Sequence, residues 1–116
     1  MIATAWNNGK HNSSGAGYGV KITPSDRDAY FDKRWKSIIL ELPYRGHWVE
    51  IEIKLAKKSF WGNQCRALVS KEIGRWLLAS HLAPWPKRKP PLIEIEPLGG
   101  KRFGVLGFVT RYSFSL

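Results

Sequence analysis

Residues 47–55, His-Trp-Val-Glu-Ile-Glu-Ile-Lys-Leu, alternate between apolar and polar side chains, and no other run constrains the fold as much. Side chains along a strand point to opposite faces in turn. Val49, Ile51, Ile53 and Leu55 therefore share one face, and Trp48, Glu50, Glu52 and Lys54 share the other. The preceding run Ser37-Ile38-Ile39-Leu40-Glu41-Leu42 reads as a buried strand, with Pro43-Tyr44-Arg45-Gly46 as the turn between them. Together they predict an antiparallel hairpin with one face that must be covered by another apolar element.

The spacing over residues 63–81 supplies that cover as a long helix. At 100° per residue, Cys65, Leu68, Val69, Ile73, Trp76 and Leu77 fall in one stripe. Lys71 and Arg75 lie together outside it, and Gly74 falls on the outer face at a cost of about 1 kcal/mol relative to Ala. A shorter helix is expected from Ser25 as N-cap, with Asp28 in its first turn, through about Trp35, burying Phe31 and Trp35. Tyr18 to Ile22, Leu92 to Glu96 and Arg102 to Phe108 read as strands, and alternating Tyr112, Phe114 and Leu116 suggest a final edge strand. Residues 1–17 are polar and glycine-rich and read as irregular backbone anchored by Trp6.

The expected fold is α+β. A curled antiparallel sheet of about five to six strands packs on one long helix, with one additional short helix. With 116 residues and no internal repeat or clean linker, residues 1–116 form a single domain able to bury its own core. A lone cysteine, Cys65, excludes an internal disulfide and a cysteine-rich zinc site. Nothing in Met1-Ile2-Ala3-Thr4-Ala5 follows the pattern of an export signal, and no apolar run approaches a membrane span. The expectation is a cytoplasmic chain without a membrane partner.

Charge is the feature that speaks to function. The chain carries 19 Lys and Arg against 9 Asp and Glu, a formal net charge of +10. Between Lys54 and Pro91 stand nine cations, Lys54, Lys57, Lys58, Arg66, Lys71, Arg75, Lys87, Arg88 and Lys89, with Glu72 the only acid. One-sided clustering of this kind is the electrostatic footprint of a polyanion binder, because each cation on a phosphate releases condensed counterions. Trp61 follows Lys57 and Lys58, and Trp85 precedes Lys87-Arg88-Lys89, so aromatic planes beside cations are available to stack unpaired bases. Pro84-Trp85-Pro86 and Pro90-Pro91 make the last cations part of a stiff, extended loop. The expected function is non-enzymatic binding of DNA or RNA through Lys57, Lys58, Lys71, Arg75, Lys87, Arg88 and Lys89, with Trp61 and Trp85. A protein–protein interaction module facing an acidic protein is the alternative.

Candidate catalytic groups are sparse. Glu52 and Lys54 share a strand face and match the Glu-x-Lys half of a magnesium-dependent nuclease site, which needs a second acid, Asp32 or Glu41, in register. Gly15-Ala16-Gly17-Tyr18-Gly19 lacks the strand before and helix after that a phosphate loop requires. His11, His47 and His81 lack metal-ligand spacing. No catalytic residue, cofactor or metal site is therefore assigned.

The runs Ser59-Phe60-Trp61, Ser70-Lys71-Glu72-Ile73-Gly74, Pro84-Trp85-Pro86-Lys87 and Trp6-Asn7-Asn8-Gly9 resemble small bacterial proteins of mobile DNA, of the integron-cassette type. That resemblance implies a bacterial, mobile-element setting and transfers no activity. The helix–hairpin–helix–strand order is loosely similar to the restriction-endonuclease-like core. Size, strand content and basic loops are similar to B3-like DNA-binding pseudobarrels, although the element order differs.

Overall fold

The structure is a computed structural model and describes residues 1–55, 58–62 and 66–109. Seven strands form one strongly curled, half-barrel sheet: β1 (Ile2–Asn7), β2 (Tyr18–Lys21), β3 (Ser37–Tyr44), β4 (His47–Lys54), β5 (Ala67–Val69), β6 (Leu92–Gly99) and β7 (Arg102–Val109). Their spatial order is β4-β3-β7-β6-β1-β2-β5, and every pairing is antiparallel except β3 with β7. The helices are α1 (Pro24–Tyr30), the single turn α2 (Lys58–Trp61) and α3 (Lys71–Ala79).

The hairpin forms as the alternation requires. β3 and β4 pair over their full length, from Ser37 opposite Lys54 to Tyr44 opposite His47. Arg45 and Gly46 close it with φ of 51° and 80°, the two left-handed residues of the turn whose twist matches paired strands. Ile51, Ile53 and Leu55 are buried and Trp48, Glu50, Glu52 and Lys54 are exposed, while Val49 near the tip stays partly open.

The single long helix over 63–81 is not what forms, and residues 63–65, with Cys65, lie outside the described residues. Ala67-Leu68-Val69 is instead a strand pairing with β2, Val69 opposite Gly19 and Leu68 opposite Val20. Ser70 then caps α3, its hydroxyl accepting from the Glu72 N–H at 3.2 Å. Buried Leu68 on a strand and buried Ile73, Trp76 and Leu77 on a helix satisfy the same apolar spacing that one helix would. The helix closes near the expected place: Leu82 N–H donates to the Leu77 carbonyl and His81 N–H to that of Leu78, with His81 at φ 60°.

Other differences follow from local chemistry. Residues 1–17 are not irregular throughout, because β1 lies between β6 and β2 with Ala3 and Ala5 buried. The Met1 amino group also donates to the Ile95 carbonyl at 2.6 Å. Alanine is a weak strand signal, yet its small side chain is no obstacle in a curled sheet. In α1 the N-cap is Thr23 rather than Ser25, since Pro24 suits the first helical position. That helix ends before Phe31, so Trp35 lies beyond it. The edge strand proposed at Tyr112, Phe114 and Leu116 lies outside the described residues.

The core fills the inner face of the sheet. Phe31 stacks on Phe103 with centroids 4.7 Å apart and meets Phe60 at 5.3 Å, while α3 contributes Ile73, Trp76 and Leu77. Each fully buried side chain of this size contributes about 1.5–3 kcal/mol. Arg27 is the buried charged residue here. Its guanidinium donates to the carbonyls of Phe60 at 3.0 Å and Gly62 at 2.8 Å, and to Asp28 at 3.0 Å, tying α1 to α2.

Gly74 is not on an outer face. It is buried against the backbone of Gly15, and a Cβ added at Gly74 would overlap the Gly15 carbonyl. A Cβ at Gly15 would in turn lie 2.5 Å from the Lys71 carbonyl oxygen and 2.8 Å from the Arg75 nitrogen. Gly74→Ala thus opposes two effects: about 1 kcal/mol of helix propensity gained, and an overpacked backbone contact costing 1–3 kcal/mol or more. Urea denaturation should show a net loss of about 1–2 kcal/mol; a stabilised variant would disprove the close contact. Arg27→Met leaves two carbonyls without donors and should cost about 2–4 kcal/mol in the same measurement.

Candidate nucleic-acid interface

The Gly15–Gly74 contact lays the loop that carries Gly15 against α3, where Gly15 also meets the Lys71 carbonyl and the backbone and Cγ of Arg75. Lys71 and Arg75, one turn apart, border this contact and are both exposed. Ser70 also donates its hydroxyl to the Glu72 carboxylate at 2.7 Å. That bond, then the backbone N–H of Glu72 and the fields of Arg75 and Lys71, hold the Glu72 carboxyl below its ordinary range.

The second group of cations stands on the loop after α3. Trp85 is half-buried and edge-on to His11, centroids 4.9 Å apart, and to Tyr18 at 5.7 Å. The His11 Nδ1 and the Tyr18 hydroxyl are hydrogen-bonded at 2.7 Å. Burial pushes the Tyr18 phenol up. Past this anchor, Lys89 N–H donates to the Pro86 carbonyl at 3.0 Å, and the resulting turn exposes Lys87, Arg88 and Lys89. Among the described residues, none of Lys71, Arg75, Lys87, Arg88 and Lys89 forms an ion pair.

Lys57 lies outside the described residues, and Lys58 opens α2. Trp61 is half-buried against Phe60, centroids 5.0 Å apart, with the Arg27 guanidinium 5.9 Å from its ring centre. Both tryptophans expected beside the cations are thus held by protein groups.

Glu41 stands opposite Glu50, and Glu52 stands opposite Ile39. The like charges of Glu41 and Glu50 are reconciled by Arg102, which donates to them at 2.9 and 2.6 Å. Glu52 accepts from the Ser37 hydroxyl at 3.1 Å, and Asp32 is held by Arg34 at 2.6 Å. Each acid considered for a nuclease site therefore has its own partner. Among the described residues, no group of three or more His, Cys, Asp and Glu is placed to hold a metal ion.

The charge has a spatial order that the chain order conceals. Glu41, Glu50, Glu52, Glu94 and Glu96 all project from the outer face of the sheet, alternating with buried neighbours. Lys71 and Arg75 sit on the helix that covers the inner face.

The hairpin tip adds residues that alternation alone assigns only to the turn and the outer face, Tyr44, Arg45 and Trp48. Arg45 lies over the Tyr44 ring at 5.3 Å, and Trp48 is 59% exposed. Between this tip and α3 opens a cleft of about 280 Å³ lined by Leu42, Tyr44, Val49, Glu72, Arg75 and Trp76. An aromatic–cation pair in the turn was the available signal.

Among the described residues, no helix is long and apolar enough to cross a membrane. No known protein family, curated protein or solved structure matches the chain.

The Asp32–Arg34 pair has a measurable signature. Hydrogen bonds from the Arg34 side chain and then its backbone lower the Asp32 pKa from 3.8 to about 2. A depressed folded-state pKa contributes stability above the unfolded value and loses it as pH falls through the folded one, here between about 4 and 2. An NMR carboxyl titration should place Asp32 in that low range. Arg34→Ala should return it towards an ordinary aspartate.

Proposed function

We propose that this protein is a non-enzymatic binder of nucleic acid, DNA or RNA, which meets the phosphate backbone with Lys71 and Arg75 on α3 and Lys87, Arg88 and Lys89 on the following loop. The observation that carries this reading is that these five cations are exposed and have no ion-pair partner among the described residues. Surface cations kept for solubility are interspersed with acids. Here Glu72, bonded to the Ser70 hydroxyl, is the one acid of α3 beside Lys71 and Arg75, while the five glutamates of β3, β4 and β6 stand on the outer face of the sheet and those at 41, 50 and 52 are already engaged.

Rigid presentation supports the same reading. The proline-flanked loop is held at Trp85 by His11 and Tyr18, so its three cations reach solvent from a fixed base. Less conformational freedom is then lost on docking. The mobile-element resemblance fits a bacterial cytoplasmic setting in which DNA and RNA are the abundant polyanions. Lys57 and Lys58 belong to the same basic stretch and are included as further contacts.

Fluorescence anisotropy across a salt series tests this. Log affinity should fall linearly with log salt, at about −0.9 per phosphate neutralised on duplex and −0.7 on single strands. The Lys87→Ala/Arg88→Ala/Lys89→Ala variant should flatten the slope by about 2–3. Glu52→Ala should bind at least as well, and added Mg²⁺ should cause no cleavage. Failure to bind any nucleic acid at low salt would overturn the reading in favour of an acidic protein partner.

A further inference from the structure

We propose that the cleft between the β3–β4 hairpin tip and α3 receives one unpaired nucleobase of a single-stranded nucleic acid. This rests on the nucleic-acid reading above and names the part of the ligand that charge alone does not recognise.

Size argues first. Clefts that enclose drug-sized ligands run to about 300–1,000 Å³. At about 280 Å³ this half-open cleft has room for a single planar ring system. Chemistry argues next. Leu42, Val49 and Trp76 give an apolar lining, and Tyr44 adds an aromatic ring at the hairpin end. Trp76 is 6% exposed and Leu42 2%, so both are fixed by the core rather than free to collapse into the opening.

The polar groups decide between a base and a phosphate. Glu72 lines the cleft as a carboxylate, which repels phosphate from the interior but accepts hydrogen bonds from the exocyclic amine of a base. Arg75 lines the cleft beside Glu72 and balances its charge, Lys71 is exposed one turn earlier on α3, and Arg45 lies over the ring of Tyr44 at the hairpin end. None of the three has an ion-pair partner among the described residues. A backbone crossing between Arg45 and Arg75 would have phosphates on both sides and one base directed inward. A duplex keeps its bases paired and cannot supply that base without unstacking it.

Anisotropy with two labelled octamers of equal charge tests the proposal, one of deoxyadenosine and one abasic throughout. Stacking of a single base in the cleft predicts that the abasic octamer binds about tenfold more weakly. Val49→Lys fills the cleft while adding a cation. Val49 is 37% exposed on an edge strand, so the fold tolerates the change. This variant should keep affinity for the abasic octamer and lose the preference for the adenosine one. Tyr44→Ala should reduce that preference in the same direction. Equal binding of the two octamers, or a preference that survives Val49→Lys, would overturn the cleft proposal and leave charge-driven binding standing. Absence of binding to either octamer, with duplex still bound at low salt, would overturn the cleft proposal alone; absence of binding to octamers, duplex and RNA alike would overturn both readings.

Discussion

Two glycines in van der Waals contact, Gly15 and Gly74, govern how the surface of this protein is arranged. Neither position has room for a Cβ, and at each the obstruction is backbone of the other element. The contact presses the β1–β2 loop onto α3 and fixes which side of the helix is covered. Lys71 and Arg75 border this contact and stay exposed, and the Tyr18–His11–Trp85 cluster connects the same loop to the segment carrying Lys87, Arg88 and Lys89. A helix interior ordinarily disfavours glycine. Here that local cost is offset by a tertiary contact that no larger residue permits.

The curl of the sheet sets the second constraint. A half-barrel has a concave face too deep for one nine-residue helix to fill, and the aromatic set Phe31, Phe60 and Phe103 occupies the remainder. α2 is a single turn and cannot hold itself in place by helical hydrogen bonding. Arg27 holds its end through the carbonyls of Phe60 and Gly62, so one buried guanidinium joins two elements distant in the chain. On the convex face Arg102 has a related task, allowing the directly opposed Glu41 and Glu50 to share one hairpin.

These arrangements together separate the charge. Strand alternation sends five glutamates outward, and α3 brings its cations to the opposite layer. A protein with net charge +10 thereby keeps much of its acidity away from its basic surface.

Legible in the residues alone are the hairpin, the alternating faces of β4, the burial of Ile73, Trp76 and Leu77 on a helix ending near His81, and the excess of cations between Lys54 and Pro91. Each is a short-range property, set by a period of 2 or 3.6 or by counting charges, and needs no knowledge of distant residues. Tertiary structure decided the rest. Ala67-Leu68-Val69 became a strand because β2 offered an unpaired edge, and Ala3 and Ala5 entered the sheet because β6 and β2 stood on either side. The pairing of β3 with β7 is parallel and long-range, so no turn announces it. Strand register gave Glu41 to Glu50 and Arg102 rather than to Glu52, and a register is a relation between segments that neither segment encodes alone. The cleft is the clearest case: Tyr44 and Arg75 lie thirty-one positions apart in the chain, and only the packing of α3 against the sheet brings them to one opening.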